Sequence, residues 1–263
     1  MNVDILIINA SVYNGVENSP KTTSIGIRDS KIVFIDSEKH IKKIRAVKTI
    51  DATGLIVAPG FIDPHTHADR DLVDSKQCSN LPFLFQGITT VIIGNDGESL
   101  YPTSKYSDLF KEQGIGTNVV MLTGHGTIRE QVMGNSDKQA TDEDISNMQD
   151  LIQDEMDAGS FGMSTGLFYA PGSYANTDEV IAALDGADLL WLESPTNPSL
   201  DVADLPALIK AAKSRNITVA VDNTFATALV QKPLSMGADI VMNSVTKYLA
   251  GHSDVVLGSL STN

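Results

Sequence analysis

The chain of 263 residues lacks features that would point to whole classes of protein. It has a single cysteine, Cys78, which excludes an internal disulfide and fits a reducing compartment. No apolar run approaches the roughly 18 residues that a membrane span needs, and the start MNVDILIINA has no basic stretch typical of a signal peptide. We therefore expect a cytoplasmic protein with no membrane partner.

Basic residues are also scarce. There are 19 lysines and arginines against 33 acidic residues, and the formal net charge is −14. Binding to a nucleic-acid backbone needs a basic surface, so nucleic acid is excluded as a partner. The one basic cluster, 39–48, is interrupted by Ile41, Ile44 and Val47, and we expect it to be a solvated face.

The first 58 residues are rich in β-forming patterns. The stretches DILIINASVYNG and SIGIRDSKIVFID carry many β-branched residues. The second has a polar turn, Arg28–Lys31, between two apolar runs, which predicts a hairpin.

From Leu55 onward, strand patterns alternate with helix patterns. A capping threonine, Thr141, with Asp144 three residues later and Gly159 at the end, predicts a helix over 141–159. We predict strands at 55–63, 87–95, 117–124, 161–167, 187–194, 217–223 and 238–244, and further helices at 203–215 and 226–236. Such alternation predicts an α/β fold with parallel strands.

One group of polar side chains stands at the ends of two early strands. His65 and His67 are two residues apart in GFIDPHTHAD, so both imidazoles point to one side. Asp96 follows the next strand in IIGNDGES. Imidazole and carboxylate groups meeting at strand ends predict a metal site, although a histidine in such a place is often merely hydrogen-bonded.

A second group follows two later strands. Asp222 ends the strand ITVAVDN, and Lys247 lies among hydroxyl residues in NSVTKYLAGHSD. Pyridoxal phosphate (PLP) requires a carboxylate for its pyridine nitrogen, an amine for a Schiff base and donors for its phosphate. The group is compatible with PLP, whereas a lone lysine in a polar loop is more often only solvated.

The first part of the chain resembles the amidohydrolase superfamily. The stretches GLIVAPGFIDPHTHAD, GITTVIIGNDGESLYP, LTGHGTIRE and FGMSTGLFYAPGSYANTDEV narrow the resemblance to the N-acyl-D-amino-acid deacylase (D-aminoacylase) group over about residues 1–181. The resemblance implies a zinc-dependent hydrolase of N-acyl-D-amino acids, with His65 and His67 as zinc ligands. Asp96 stands where some relatives carry a metal-bridging cysteine, and His125 and Tyr169 would line the substrate pocket.

The last part resembles the Cys/Met-metabolism PLP-dependent family of transsulfuration, which includes cystathionine γ-synthase, the cystathionine lyases and methionine γ-lyase. The stretches WLESPTNPSLDVADL and VAVDNTFATALVQKPLSMGADIVMNSVTKYLAGHSDVVLGS carry it over about 187–263. The resemblance implies that Lys247 forms the internal aldimine and that Asp222 pairs with the pyridine nitrogen. Ser244 and Thr246 would contact the phosphate, and Asn197 the ring or the substrate carboxylate.

We therefore interpret the chain as a fusion of two truncated enzymes. The predicted fold class is α/β: a small β-rich region (1–58), an incomplete TIM-barrel-like segment (59–181) and part of an aspartate-aminotransferase-like PLP domain (182–263). Asp185–Gly186 would form the turn at the junction.

Each resemblance also implies site residues that this chain lacks, so we expect impaired or absent activity. Four strands cannot close an eight-stranded barrel. The alternatives are a working metal hydrolase, a PLP-dependent lyase or transferase using Lys247, and a non-catalytic α/β protein. The expected partners are small molecules, either N-acyl-D-amino acids or sulfur amino acids. The sequence leaves open whether the chain forms a homo-oligomer.

Overall fold

The chain divides into two compact units, Met1–Phe61 and Ile62–Asn263. The structure is a computed structural model, and it describes residues 1–17, 19–36, 44–184, 187–197, 199–252 and 257–262. Most of the basic cluster at 39–48 and the predicted Asp185–Gly186 turn lie outside these residues.

The first unit is a β-sheet in which the first strand is central. Its strands are β1 (Asn2–Val12), β2 (Lys21–Arg28), β3 (Lys31–Asp36), β4 (Arg45–Asp51) and β5 (Ile56–Val57). β2 and β3 pair antiparallel, with Arg28 opposite Lys31, so the predicted hairpin is confirmed. Asp29 and Ser30 both have positive φ, which is the conformation of the tight hairpin turn that fits the twist of paired strands.

The second unit alternates strands and helices. Its strands are β6 (Phe61–Asp63), β7 (Ile88–Ile93), β8 (Asn118–Met121), β9 (Thr123–Gly124), β10 (Met163–Thr165), β11 (Leu189–Glu193), β12 (Thr218–Asp222), β13 (Ile240–Ser244) and β14 (Gly258–Thr262). Its helices are α1 (Asp69–Val73), α2 (Leu81–Leu84), α3 (Thr103–Gln113), α4 (His125–Met133), α5 (Asp142–Asp157), α6 (Thr177–Ala182), α7 (Leu205–Ser214), α8 (Thr227–Val230) and α9 (Pro233–Met236), with a short 3-10 helix at Gly172–Tyr174.

The strands of the second unit form two sheets that meet along residues 118–124. One has the order β6-β7-β8 and the other β14-β13-β12-β11-β10-β9. The Leu122 N–H donates to Ile93 on the first sheet, and the Thr123 N–H donates to Gly162 on the second. The pairs from β9 to β13 are parallel, as predicted, whereas β14 adds an antiparallel edge. The mixed α/β architecture with parallel sheets is thus confirmed.

The deacylase-like and PLP-enzyme-like parts share a sheet and a core. β10 from the first part pairs with β11 from the second, with Met163 opposite Leu190. The largest apolar cluster contains Ile152 and Met163 together with Leu190 and Leu205, all of them buried. The strand edge that an interrupted barrel would leave open at β10 is therefore covered by the following segment.

Local sequence patterns explain where the helices begin and end. α5 begins after Thr141, whose hydroxyl accepts from the Asp144 N–H in a capping box, and Gly159 follows its end with positive φ, as predicted. The helix predicted over 226–236 is instead two short helices, α8 and α9. Gln231 is extended at the break, and Pro233, which cannot donate a backbone hydrogen bond, opens the second helix. None of the described helices is long and apolar enough to cross a membrane.

Candidate metal centre

Strand periodicity places the polar residues of the site. Alternate residues of β11 and β12 pack against helices, while the intervening residues face the other side of the sheet, as does Met242 of β13. That second face carries a separate buried cluster of Leu122, Trp191, Ala220 and Met242. Continuing the period of two beyond this cluster brings Glu193 and Asp222 to the carboxyl ends of their strands on the same face.

His65, His67 and Asp96 form a compact group. One ligand atom from each lies within 4.8 Å of the others. The His65 Nε2 atom is 3.4 Å from Asp96 Oδ1, and the His67 Nε2 atom is 3.3 Å from Asp96 Oδ2. The two imidazole rings meet edge to face with centroids 5.4 Å apart. Both histidines therefore direct Nε2 toward one carboxylate, an arrangement in which all three side chains can reach a single cation.

The loop that carries Asp96 is tightly fitted. Asp96 has a φ of 58°, in the left-handed region that aspartate tolerates better than most residues. Its backbone oxygen lies against Gly166, where an added Cβ would come within 2.4 Å of that oxygen. Glycine at 166 thus permits the close approach of the loop to the end of β10.

The downstream segment contributes side chains to this group. Asp222 Oδ2 lies 3.3 Å from His65 Nδ1, and the Trp191 ring contacts the His65 ring edge to face with centroids 6.5 Å apart. Neither contact was predicted from the sequence, since Asp222 was expected to face a PLP ring. His65 Nδ1 and Asp96 Oδ1 are buried and make no well-aligned hydrogen bond. Electrostatic attraction at short distance thus holds these side chains together, while two of their polar atoms still lack a well-aligned hydrogen bond.

The charges of the group shift its protonation equilibria. Burial alone would lower the pKa of His65, but the carboxylates of Asp222 and Asp96 outweigh it and raise the pKa to about 10. Asp96 raises the pKa of His67 as well. Burial would raise the pKa of Asp96, yet the two imidazoles hold it well below its usual range. Burial, with the charges of Asp96 and Asp222, raises the pKa of Glu193 to about 7.

A cavity of about 480 Å³ lies beside the group. It is lined by Asp96 and by Tyr169, one of the two residues predicted to face a substrate. Glu98 and Glu130 add further carboxylates, and none of the described lining residues is basic. Burial and the Asp96 charge raise the pKa of the Tyr169 phenol.

His125, the other predicted pocket residue, is fully buried. Its Nε2 atom is 3.2 Å from Glu179 Oε1, and Glu179 also pairs with the buried Arg129 at 3.3 Å. Arg129 further donates to the Pro171 carbonyl. These three side chains tie α4 to α6. A role of His125 in substrate binding stays a prediction, and its contacts in the structure are those of a packing residue.

The residues predicted to bind PLP have various partners in the structure. In the described part of the chain the exposed Lys247 ammonium has no hydrogen-bond or ion-pair partner. The Thr246 hydroxyl is bonded to the Leu257 backbone, and the Ser244 N–H donates to Thr224. Asn197 is exposed. Asp222 faces His65, with its Oδ2 atom 3.3 Å from Nδ1, and its pairing with a pyridine nitrogen stays a prediction.

Known proteins resembling the chain fall into two groups. The family model for Cys/Met metabolism PLP-dependent enzymes matches residues 165–263, starting ahead of the boundary predicted near residue 187. Cystathionine gamma-synthase of Mycobacterium leprae (strain TN) is 42% identical over 120 residues, covering 43% of this chain and 31% of the synthase. The N-acyl-D-aspartate deacylase of Alcaligenes xylosoxydans xylosoxydans is 36% identical over 201 residues, covering 68% of this chain and 39% of the deacylase.

A solved structure shows how far the deacylase fold extends. The N-acyl-D-glutamate deacylase of Bordetella bronchiseptica, solved with zinc and a phosphonate inhibitor, matches with a TM-score of 0.73 and 25% identity, covering 84% of this chain and 51% of that chain. This coverage exceeds the 181 residues of the predicted deacylase part, so the fold similarity continues into the downstream segment.

The chain thus joins a part similar to D-amino-acid deacylases to a part similar to Cys/Met-metabolism PLP-dependent enzymes, and the predicted fusion is confirmed. It spans about two fifths of the deacylase and about a third of the synthase.

Proposed function

We propose that the second unit binds one zinc ion through His65, His67 and Asp96, and that the chemistry it supports best is hydrolysis of the amide in small N-acyl-D-amino acids. The proposal rests on the clustering of these three ligand atoms within 4.8 Å. Imidazole nitrogen and carboxylate oxygen are ligands that zinc accepts. The Bordetella bronchiseptica deacylase of similar fold was solved with zinc.

The residues fit a cation. Asp96 Oδ1 is buried without a well-aligned hydrogen bond, which costs about 1–3 kcal/mol unless a partner is supplied. A cation between the imidazoles and Asp96 would be that partner. When bound, zinc supplies Lewis acidity and lowers the pKa of water.

The chain's own residues would orient the substrate and exchange a proton during hydrolysis. Tyr169 and the cavity wall would hold the acyl group beside Asp96. Glu193, with a pKa near 7, would exchange a proton at neutral pH.

We further propose that turnover is severely impaired. The cavity offers carboxylates and no basic side chain among its described lining residues, so a substrate carboxylate meets repulsion instead of a salt bridge. We expect hydrolysis of N-acetyl-D-amino acids far below the 1–10³ s⁻¹ usual for enzymes. Turnover in that range with one equivalent of zinc would contradict this part of the proposal.

In this proposal residues 1–58 form the β-rich region, 59–181 part of a (β/α) barrel and 182–263 part of a PLP-transferase domain. The buried cluster around Trp191 supports a partial barrel, because it joins side chains from both sheets as a barrel interior does. We also propose a cytoplasmic location. We propose a homo-oligomer as well, and light scattering of the purified chain would test this oligomeric state.

A PLP-dependent activity through Lys247 is the second candidate, and the family match over residues 165–263 favours it. The geometry gives it less support, because Asp222 is engaged with His65. Incubation with PLP, borohydride reduction and peptide mapping test it directly. Absence of a label on Lys247 would remove this candidate.

Metal analysis after dialysis tests the zinc site. We expect one zinc per chain in the unsubstituted protein and none in the double variant His65→Ala/His67→Ala. His252→Ala is the matched control, because His252 is exposed and, among the described residues, its ring bonds to the Ala250 carbonyl. Equal zinc in the unsubstituted protein and the double variant would contradict the proposal.

A further inference from the structure

Asp222 comes from the PLP-enzyme-like part of the chain, yet its carboxylate lies beside a residue of the deacylase-like part. Its Oδ2 atom lies 3.3 Å from His65 Nδ1, and its Oδ1 atom accepts a hydrogen bond of 2.9 Å from the Thr224 N–H. One oxygen is thus fixed to the backbone at the end of β12, and the other is directed at the imidazole.

The two nitrogens of His65 face different carboxylates. Nε2 faces Asp96, where His67 Nε2 also points, whereas Nδ1 faces Asp222. A histidine that binds a metal through one nitrogen usually donates its other N–H to a carboxylate, carbonyl or water. That second partner fixes the tautomer and the ring orientation.

From this arrangement we infer that Asp222 is a positioning residue for the metal site: it holds the His65 N–H at Nδ1 so that Nε2 is presented to the cation beside His67 and Asp96. The inference rests on the proposed zinc binding by His65. A carboxylate in the PLP-enzyme-like part would thereby orient a metal ligand in the deacylase-like part.

The surroundings leave His65 no other charged partner for Nδ1 among the described residues. Asp222 and His65 are largely buried, and the Trp191 ring covers the His65 ring edge to face. Asp222 continues the inner-face alternation from Ala220, so the backbone of β12 fixes its direction. In the structure the Nδ1–Asp222 contact is close but not aligned as a hydrogen bond. A cation at Nε2 is expected to align it.

Zinc affinity measured by competition with a chelator tests the inference. We expect Asp222→Asn to bind one zinc with an affinity about 10–100-fold lower, since loss of a partner that orients a ligand has this effect. Asp222→Glu, which keeps a carboxylate, should recover part of the loss. Asp239→Asn is the matched control, because Asp239 pairs with Lys213 and precedes β13 at the opposite end of the sheet. It should leave zinc affinity unchanged.

Nitrogen NMR of ¹⁵N-histidine-labelled protein gives a readout that a loss of folding would not produce. With zinc bound, we expect His65 to carry its proton on Nδ1 and the metal on Nε2, and Asp222→Asn to weaken the Nδ1 proton signal. Unchanged zinc affinity in Asp222→Asn, or zinc on Nδ1, would overturn the inference while leaving zinc binding intact. An unsubstituted protein that binds no zinc would overturn the proposed function and the inference with it.

Discussion

His65 and Lys247 each follow a strand of the second unit, but their surroundings differ. His65 is buried, with Asp96 on one side of its ring and Asp222 on the other. Lys247 is exposed in a run of turns, and its ammonium has no ion-pair partner in the part of the chain that the structure describes.

From this difference we expect that a motif keeps its chemistry only when side chains from neighbouring strands remain around it. The histidine group needs side chains from the ends of neighbouring strands, and the sheet still provides them. By its resemblance the lysine segment would use Asp222, which in the structure faces His65.

The largest effect should come from Glu179, which pairs with the buried His125 and Arg129. Glu179→Gln should lower the free energy of unfolding by about 3–5 kcal/mol, because it leaves Arg129 buried without its charge partner. Denaturant unfolding measures this, and Glu130→Gln, at an exposed position of α4, is the control. Zinc affinity of the folded variant should not change. A parallel loss of zinc binding would instead link His125 to the site.

Leu190 tests whether the two family parts fold as one body. It is fully buried opposite Met163, so Leu190→Ala should cost about 2–5 kcal/mol. Ile152→Ala, on the deacylase-like side, should lower the same unfolding transition. Leu229→Ala at a 93% exposed position is the control and should change stability by less than about 0.5 kcal/mol. Two separate transitions, each sensitive to one variant, would contradict a shared core.

Glu193 should make the stability of the zinc-free protein depend on pH. Its pKa is raised from 4.5 to about 7, so its contribution to stability is complete below pH 4.5 and is lost as the pH rises through 7. Glu193→Gln should therefore match the unsubstituted protein at pH 4.5 and exceed it by about 1–2 kcal/mol at pH 8, after allowance for solvent screening. Thermal unfolding with a chelator present measures the difference. A gain of equal size at both pH values would contradict the account.

Lys247 should show the smallest effect. Because its side chain is exposed and unpaired in the described structure, Lys247→Ala should change neither zinc affinity nor, by more than about 0.5 kcal/mol, the free energy of unfolding. Chelator competition and denaturant unfolding check the two quantities. A marked loss of zinc would show that the lysine segment reaches the metal group.

Much of the fold follows from local patterns. The Arg28–Lys31 turn and the capped helix after Thr141 are decided by residues close in sequence. The single helix predicted over 226–236 was wrong. The chain breaks before Pro233, because proline lacks the backbone N–H that a continuous helix needs there.

The site was predicted only in part. His65, His67 and Asp96 were predicted to lie together because they follow two early strands, whose carboxyl ends meet at one edge of the sheet. Asp222 and Trp191 were missed because their meeting with His65 depends on which strands pair across the junction, which no local pattern encodes. The alternation along β11 and β12 was the available signal.

Quenching of Trp191 fluorescence by Co²⁺ tests the central claim most directly. Trp191 is the single tryptophan of the chain and belongs to the downstream part, while its ring lies 6.5 Å from that of upstream His65. Open-shell Co²⁺ bound by His65 and His67 should quench its emission at this range. The account predicts quenching that saturates at one equivalent of Co²⁺, is reversed by zinc and is absent from His65→Ala/His67→Ala. Emission unaffected by Co²⁺, or quenched equally in the double variant, would contradict a metal site built by both parts of the chain.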